Sequence, residues 1–256
     1  VAAAEAGFAG VGMHADDLPR TRAQGLDAAQ MCAVLADTGL RLVEIEFLGG
    51  WAVEPDEAAL ERTVAGIEAV ADAFGGRHVS AGEFRGGAFD SDEALDAAAE
   101  RLRALALRLR RRGLLVAVEP FPWSALRDAA TAVELLYRAA APNTGLLVDV
   151  WHFANGGAEP SLIAELPEGG IAAVQLNDGL RVHDDFLRHA RADRRLPGEG
   201  ELDVAGLVRA VHSAGFRGPY CVEVSTPQLR TLPVAEAAAR AVAAAGALLA
   251  AAGVVA

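Results

Sequence analysis

The sequence contains no lysine: its 23 basic residues are all arginine, against 35 acidic residues, for a formal net charge of −12. Without lysine no Schiff base can form on the protein, which excludes lysine-dependent aldolases and pyridoxal-phosphate enzymes. The phosphate-binding loop that requires a lysine is excluded as well. The excess of acidic residues argues against nucleic-acid binding, for which a basic stripe is the usual footprint.

Cysteine and strongly hydrophobic segments are also scarce. The two cysteines, Cys32 and Cys221, lie in apolar runs, where we expect buried thiols rather than a disulfide. The longest apolar stretch, 241–256, is rich in alanine, which predicts a helix packed on the surface rather than a membrane span. No basic segment precedes an apolar one near the start of the chain, so we expect a cytoplasmic protein.

Short apolar segments alternate with longer amphipathic ones along the chain. Several amphipathic segments end at a glycine, as helices do, and Ser91, Asp128 and Asp203 are placed to cap the helices that follow them. Apolar strands that alternate with helices indicate a parallel sheet covered by helices. The predicted strands are 9–14, 42–47, 78–82, 114–120, 145–150, 172–177 and 220–225, and the predicted helices are 26–38, 56–74, 91–112, 128–140 and 203–214.

This alternation fits an α/β fold, the (β/α)8 TIM barrel, which usually has about 250 residues and eight strands. A dinucleotide-binding sheet is disfavoured because no G-x-G-x-x-G turn follows the first strand. Seven strands are recognisable, and residues 1–7 read as the end of a helix. We therefore expect the first strand to be lacking or truncated in this sequence; the alternative is an irregular barrel that tolerates a gap.

Strand alternation places one polar residue of each of four strands on the inward face, at or near the carboxyl end. In a TIM barrel that end carries the catalytic groups. Three carboxylates there would repel one another unless a cation neutralised them, and oxygen-rich ligands suit Mn²⁺, Mg²⁺ or Co²⁺. The alternative is a carboxylate cluster paired with arginine. The four residues are Glu119, Asp149, Gln175 and Glu223.

His152 lies three residues after Asp149, just beyond the predicted strand end. A neutral imidazole there can bind a metal, donate to a substrate or act as a base, or it can serve only as a capping residue. It is therefore a candidate catalytic residue.

The second predicted strand carries two inward carboxylates, Glu44 and Glu46, of which Glu46 is nearer the mouth of the barrel. His14 ends the first strand in a similar place. Glu83 and Trp123 are expected at the rim, where the indole offers an apolar wall on which a sugar can stack. We therefore take Glu46, His14 and Trp123 as candidate substrate-binding residues.

A segment of about 25 residues follows the sixth strand, and loops of that length in compact domains are usually functional lids. It is rich in arginine, which captures carboxylates, phosphates and hydroxyl groups. Arg181, close to the strand end, and Arg195, just before the turn at 197–198, are candidate substrate-binding residues. Arg188 and Arg191 fit better on a short solvated helix with ordinary charge pairs.

Over residues 9–240 the sequence resembles the xylose isomerase-like barrel superfamily, and more narrowly bacterial sugar phosphate isomerases and epimerases. The resemblance rests on five segments in the same order and spacing: VAVEPFPW, LLVDVWHFANGG, AAVQLND, RRLPGEGELD and YCVEVS. It implies a single TIM-barrel domain over residues 1–256. Related members include ketose 3-epimerases, hydroxypyruvate isomerases, inosose dehydratases and isomerases, 3-dehydroshikimate dehydratases and a DNA-cleaving branch.

The resemblance also implies roles for individual residues. Many relatives have histidine where this chain has Gln175, although some dehydratase-type members are similar there. The family's substrate-binding arginine falls on Arg181 and its histidine on His152. The second glutamate of the ketose 3-epimerases falls on Ala125, which argues against a strict ketose-3-epimerase. The implied metal is Mn²⁺ first, with Mg²⁺, Co²⁺ or Zn²⁺ as alternatives, and its implied ligands are Glu119, Asp149, Gln175 and Glu223.

The implied chemistry is proton abstraction next to a carbonyl, with Glu119 and Glu223 moving the proton and a metal stabilising the enediolate. This predicts an isomerase or epimerase of a small sugar, polyol or sugar phosphate. One alternative is a lyase such as a 3-dehydroshikimate dehydratase, with His152 as acid or base; another is a non-catalytic barrel or partner subunit. The expected partners are a small polyhydroxylated substrate and a second copy in a homodimer, with no nucleic acid and no membrane.

Overall fold

Seven parallel strands form one sheet in the computed structural model, which describes residues 1–53, 56–84, 89 and 91–254. The strands are β1 (Gly10–His14), β2 (Arg41–Leu48), β3 (His78–Ala81), β4 (Leu115–Val118), β5 (Thr144–Asp149), β6 (Ile171–Leu176) and β7 (Tyr220–Val222). Each strand pairs with the next along the chain, and within the described residues no eighth strand joins β7 to β1. The predicted barrel with a missing first strand is confirmed.

Helices separate these strands and cover the outside of the sheet. The three predicted caps are present: the side chains of Ser91, Asp128 and Asp203 each accept a hydrogen bond from the backbone three residues on. The helices described are α1 (Ala2–Ala6), α2 (Asp17–Ala23), α3 (Ala28–Thr38), α4 (Glu57–Phe74), α5 (Asp92–Arg110), α6 (Ala129–Ala139), α7 (Val150–Asn155), α8 (Ser161–Ala164), α9 (Phe186–Ala192), α10 (Val204–Ser213), α11 (Pro227–Arg230) and α12 (Val234–Ala251).

The larger part of the core lies between the sheet and its helices. There Ile67, Leu102 and Leu135 are completely buried, and each such side chain contributes about 1.5–3 kcal/mol to folding. Inside the barrel a smaller cluster includes Ala117 and Ala173. These small residues leave room at the carboxyl ends of the strands for the longer polar side chains above them.

The alanine-rich stretch near the carboxyl end forms part of α12, which packs against α1, α10 and β7. By length and composition alone α12 is apolar enough to cross a membrane. The last two residues of the predicted 241–256 segment lie outside the described part of the chain. Cys32 and Cys221 are both free, as expected, but they are half-buried rather than buried.

Candidate active site and metal centre

The carboxyl ends of β4 to β7 bring the four predicted polar residues to the same end of the barrel. Asp149 and Gln175 are register partners at the ends of adjacent strands. Glu119 and Glu223 each follow directly after the last residue of a strand. A cavity of about 710 Å³ opens there, and three of the four residues line it while Asp149 lies deeper.

Arg194, on the loop after β6, occupies the centre of this group. Its Nη1 atom lies 2.5 Å from Glu223 Oε2 and 3.2 Å from Asp149 Oδ2. Its Nη2 atom lies 2.5 Å from His152 Nε2. The guanidinium is buried, with 7% of the side chain exposed. Arginine pairing, the alternative to a metal, is thus present at least in part.

Asn177 holds the carboxylate of Asp149 from the other side. Its Nδ2 donates to Asp149 Oδ2 at 2.6 Å, and its Oδ1 accepts from the backbone N–H of Trp151 at 2.8 Å. The second oxygen of Asp149 caps α7 by accepting from the backbone N–H of His152 at 2.8 Å. Both oxygens of Asp149 are therefore bound in fixed directions.

The position of Arg194 is set by the base of its loop. Asp178 pairs with Arg195 through an antiparallel backbone bridge, and Gly200 passes so close that a side chain there would collide with the Asp178 carboxylate. Since neighbouring residues of an extended segment point to opposite sides, the bridge at Arg195 turns Arg194 toward the barrel. The Asp178 carboxylate accepts from the backbone N–H groups of Gly179, Gly198 and Leu202.

His152 is a neutral imidazole with a defined tautomer. A guanidinium can only donate hydrogen bonds, so the Nε2 atom facing Arg194 must accept and the proton resides on Nδ1. Burial, followed by the charge of Arg194, keeps the pKa of His152 well below its usual range. Its Nε2 also lies 3.6 Å from Glu119 Oε1. The imidazole therefore presents an unprotonated nitrogen to the site.

The carboxylates of the site are crowded and short of positive charge. Burial raises the pKa of Glu119 well above its usual range, and the charges of Glu223 and Asp149 raise it further. Burial also raises the pKa of Glu223, although Arg194 acts in the opposite direction. One guanidinium does not balance three carboxylates, so protons or another cation must supply the remaining charge.

One wall of the cavity is aromatic. Phe84 and Phe121 stack with their ring centroids 5.0 Å apart, and Trp123 stacks on Phe121 at 5.2 Å. Arg191 and Arg230 also line the cavity, and within the described residues neither forms an ion pair with a carboxylate. The cavity thus combines an apolar face with positive charge that is available to an anionic group.

His14, Glu46 and Trp123, three of the predicted substrate-binding residues, line this cavity. His14 Nε2 lies 3.0 Å from Glu46 Oε2. Burial and the charges of Glu44 and Glu223 raise the pKa of Glu46 to about 8. At neutral pH Glu46 therefore keeps its proton and can donate a hydrogen bond.

The structure places the other two, Arg181 and Arg195, away from the cavity. Arg181 Nη1 donates to the carbonyl of Ala154 at 3.2 Å, and Arg195 Nη1 donates to the carbonyl of Glu199 at 3.0 Å. Both side chains lie at the surface. The sequence pattern does not show which lid arginines turn inward. The lid arginines that line the cavity are Arg191 and Arg194, of which Arg194 contacts the carboxylates.

One further expectation is corrected. Glu83 does not line the cavity: it is completely buried and accepts hydrogen bonds from the backbone N–H groups of residues 52 and 53. Arg188 and Arg191 both lie exposed on the short helix α9, as the sequence predicts. Arg188 pairs with Asp185 at 2.9 Å, and Arg191 also lines the cavity.

A comparison with protein families agrees with this architecture. Residues 1–248 match the family model for the xylose isomerase-like TIM barrel. The chain belongs to the xylose isomerase-like TIM barrel family.

Two curated relatives of this xylose isomerase-like barrel are 3-dehydroshikimate dehydratases. The protein from Pseudomonas aeruginosa is 36% identical over 138 residues, which are 53% of this chain and 22% of the relative. The protein from Pseudomonas putida is 31% identical over 139 residues, 54% of this chain and 22% of the relative. The chain therefore spans 22% of the length of the curated relatives it matches.

Solved structures share the fold at lower sequence identity. A fusion of a xylose isomerase-like TIM barrel with 4-hydroxyphenylpyruvate dioxygenase has a TM-score of 0.84 and 24% identity, covering 96% of this chain and 39% of that one. The IOLI protein with a bound zinc atom has a TM-score of 0.87 and 16% identity, and the match covers 97% of this chain and 90% of that one. An L-ribulose 3-epimerase has a TM-score of 0.73 and 20% identity, and the match covers 97% of this chain and 86% of that one.

The donor atoms of this xylose isomerase-like barrel fit a divalent metal. Glu119, Asp149 and His152 each offer one ligand atom, and these atoms lie within 4.8 Å of one another. Gln175 adds a buried Oε1 atom with no hydrogen-bond partner among the described residues. A divalent ion would also supply the two positive charges that Arg194 leaves unbalanced.

Proposed function

We propose that this protein is a divalent-metal-dependent enzyme that moves a proton at a carbon next to a carbonyl, and so isomerises or epimerises a small sugar, polyol or sugar phosphate. The observation that carries the proposal is the convergence of three carboxyl groups and one buried arginine at the mouth of the barrel. These groups are Glu119, Asp149, Glu223 and Arg194, with the amide of Gln175 beside them.

The proposed ligands are Glu119, Asp149, Gln175 and Glu223, with His152 Nε2 as a further donor. Mn²⁺ is the proposed ion, because such oxygen donors with one imidazole suit a hard divalent metal. When bound, a divalent ion polarises the substrate carbonyl and stabilises the negative charge that develops on its oxygen.

Glu119 and Glu223 are the proposed acid–base pair. Burial raises the pKa of both, so each takes up a proton more readily than an exposed carboxylate does and can pass it on, as general bases and acids require. They come from β4 and β7, with two strands between them, and can act on a substrate from different sides. One carboxylate takes the proton and the other returns it. Return to the opposite face gives an epimer, and return to the neighbouring carbon gives an isomer.

The remaining lining residues favour an anionic substrate with an apolar face. Arg191 and Arg230 offer guanidinium groups to a phosphate or carboxylate. Trp123 and Phe121 offer stacked rings on which a sugar or another ring can lie. Protonated Glu46 can donate to a hydroxyl or carbonyl oxygen.

A second candidate is dehydration, of which 3-dehydroshikimate dehydration is the best-supported case. Both curated relatives are 3-dehydroshikimate dehydratases, and the aromatic wall suits a six-membered ring that becomes planar. Here a base removes a proton next to the carbonyl, and the hydroxyl on the following carbon leaves as water after it gains a proton. His152 is the candidate acid or base of this reaction, in which case its imidazole is not a metal ligand.

One set of assays separates these candidates. The protein is loaded with Mn²⁺, its bound metal is quantified, and it is incubated in D2O with sugars, sugar phosphates and 3-dehydroshikimate. Deuterium next to a carbonyl together with an isomeric product supports the isomerase or epimerase. Ultraviolet absorbance of protocatechuate supports the dehydratase. A protein that binds no divalent ion would instead be the non-catalytic barrel. The cytoplasmic location and the homodimer expected from the sequence stay predictions.

A further inference from the structure

A second group of polar side chains meets inside the barrel, beside the proposed ligands. Its centre is Glu44 on β2, which is 1% exposed. Ser80 Oγ donates to Glu44 Oε1 at 2.9 Å, and Gln175 Nε2 donates to the same oxygen at 3.0 Å. His78 Nε2 lies 3.3 Å away, and the Cys221 thiol also donates to this carboxylate. Side chains from β3, β6 and β7 therefore meet on one group.

Glu44 decides which way the amide of Gln175 faces. A carboxylate accepts hydrogen bonds and donates none, so Gln175 must present its NH2 group to Glu44. The opposite end of the amide, Oε1, is then directed away from Glu44. That oxygen is buried without a hydrogen-bond partner among the described residues, and Gln175 lines the cavity.

We propose that Glu44 is a positioning residue that holds the amide of Gln175 so that its oxygen, and not its NH2 group, is offered to the metal. The inference rests on the proposed function, since it concerns the ion that Glu119 and Asp149 would share. An NH2 group carries partial positive charge and would repel a cation. Groups that orient metal ligands in this way typically change metal affinity by about 10–100-fold.

The test is Mn²⁺ affinity in a double-mutant cycle on the full chain. In Glu44→Gln the new side chain has the shape of glutamate but can donate hydrogen bonds as well as accept them. The amide of Gln175 is then no longer held in one direction. We expect Mn²⁺ binding to weaken by about tenfold or more, and the same substitution in a Gln175→Ala background to weaken it by less than about twofold. The matched control, Ser80→Ala, removes another donor to the same oxygen and keeps the carboxylate, so affinity should stay within about threefold.

Equal losses in both backgrounds would show general damage to the barrel and overturn the positioning role. Unchanged Mn²⁺ binding in Glu44→Gln would overturn it as well. A wild-type protein that binds no Mn²⁺ would overturn the proposed function together with the ligand role of Gln175. Intact binding in the wild type thus separates a failure of the positioning role from a failure of the proposed function.

A second measurement needs no metal. The chain has four glutamines, of which only Gln175 is buried, and its side-chain NH2 signals in a ¹⁵N-correlated spectrum are the pair that Gln175→Ala removes. We expect slow hydrogen exchange of these signals in the wild type and fast exchange in Glu44→Ala, in which the acceptor is gone. Identical shifts and exchange in both proteins would show that Glu44 does not hold the amide. Thermal unfolding of each variant checks that it is folded.

Discussion

Arg194 Nη1 lies 2.5 Å from Glu223 Oε2, so that a buried guanidinium meets a half-buried carboxylate within hydrogen-bond distance. Charge-assisted hydrogen bonds between arginine and carboxylate are short and about twice as strong as neutral ones. A guanidinium stays charged throughout the accessible pH range. The site therefore contains one permanent cation whose effect depends on how many carboxyl groups around it are ionised.

Replacing this cation should destabilise the protein when no metal is bound. We expect Arg194→Met to lower the free energy of unfolding by about 3–5 kcal/mol, because it leaves buried carboxylates without their partner. Urea denaturation at neutral pH measures the change. Saturating Mn²⁺ should restore more stability to this variant than to the wild type, since the ion supplies charge that the arginine no longer provides.

The control for this experiment is Arg195→Met, one residue away on the same loop. Its guanidinium donates to a backbone carbonyl at the surface, so stability should change by less than about 0.5 kcal/mol. Equal losses in the two variants would mean that the loop, and not the buried charge, determines the effect.

Substitution of Glu223 should remove catalysis and leave the fold intact. We expect Glu223→Gln to lower kcat by a factor of about 10²–10⁴, the range typical of a lost general acid or base. The measurement is steady-state turnover on whichever substrate the assays identify, with circular dichroism as the check on folding. Glu236→Gln, in the first turn of α12, is the control. Full activity in Glu223→Gln would refute the site.

Replacing Asn177 by aspartate, which has the same shape, should lower the stability of the protein. In Asn177→Asp the NH2 group that donates to Asp149 at 2.6 Å is replaced by a second carboxylate oxygen. We expect a loss of about 1–3 kcal/mol from the broken hydrogen bond, and a larger loss at pH 8 than at pH 6 as the new carboxylate ionises. Urea denaturation at the two pH values measures it. Asn155→Asp, in which the side chain contacts backbone groups, should lack the pH-dependent part.

The raised pKa of Glu46 predicts how stability depends on pH. Its pKa is about 8 in the folded protein and near the ordinary 4.5 when unfolded, so the folded state binds more protons between these values. Stability from this residue is therefore present below pH 4.5 and is lost as pH rises toward 8, by at most about 1.4 kcal/mol per pH unit. Glu46→Gln should flatten the curve in this window, whereas exposed Glu165→Gln should leave it unchanged. Parallel curves for wild type and Glu46→Gln would contradict the assignment.

Metal binding should release protons. Burial raises the pKa of Glu119 and of Glu223, so protons compete with an ion for these carboxyl groups. Mn²⁺ affinity should therefore rise with pH, by up to about tenfold per unit for each proton displaced. Calorimetry at one pH in two buffers of different ionisation enthalpy counts the protons. Glu119→Gln should release fewer; an unchanged number would point to another source.

The strand-borne part of the site follows from the sequence because side chains alternate strictly along a strand. That rule is enough to bring Asp149 and Gln175 to adjacent positions at one end of the barrel. The same alternation puts Asn177, two residues after Gln175, on the inward face as well, although it is not one of the predicted metal ligands.

The loop-borne part does not follow from alternation. Arg194 and Arg195 are identical in chemistry and adjacent in sequence, and only a backbone bridge to Asp178 determines which of them enters the barrel. Short helices do not follow from the sequence pattern either. The helices α7 and α8 have six and four residues, which are too few to show the apolar period of a helix.

Asp178 anchors the loop after β6, so substitutions within that loop and the position of Arg194 are independent of each other. The Asp178 carboxylate holds the beginning and the end of the loop together, and the bridge to Arg195 fixes the backbone beside Arg194. Residues 180–193 can therefore be exchanged without moving Arg194. Residues such as Leu187 and Arg191, which lie on that stretch and line the cavity, could then vary with the substrate. The architecture thus permits substrate preference to diverge while the charged centre of the site is inherited unchanged.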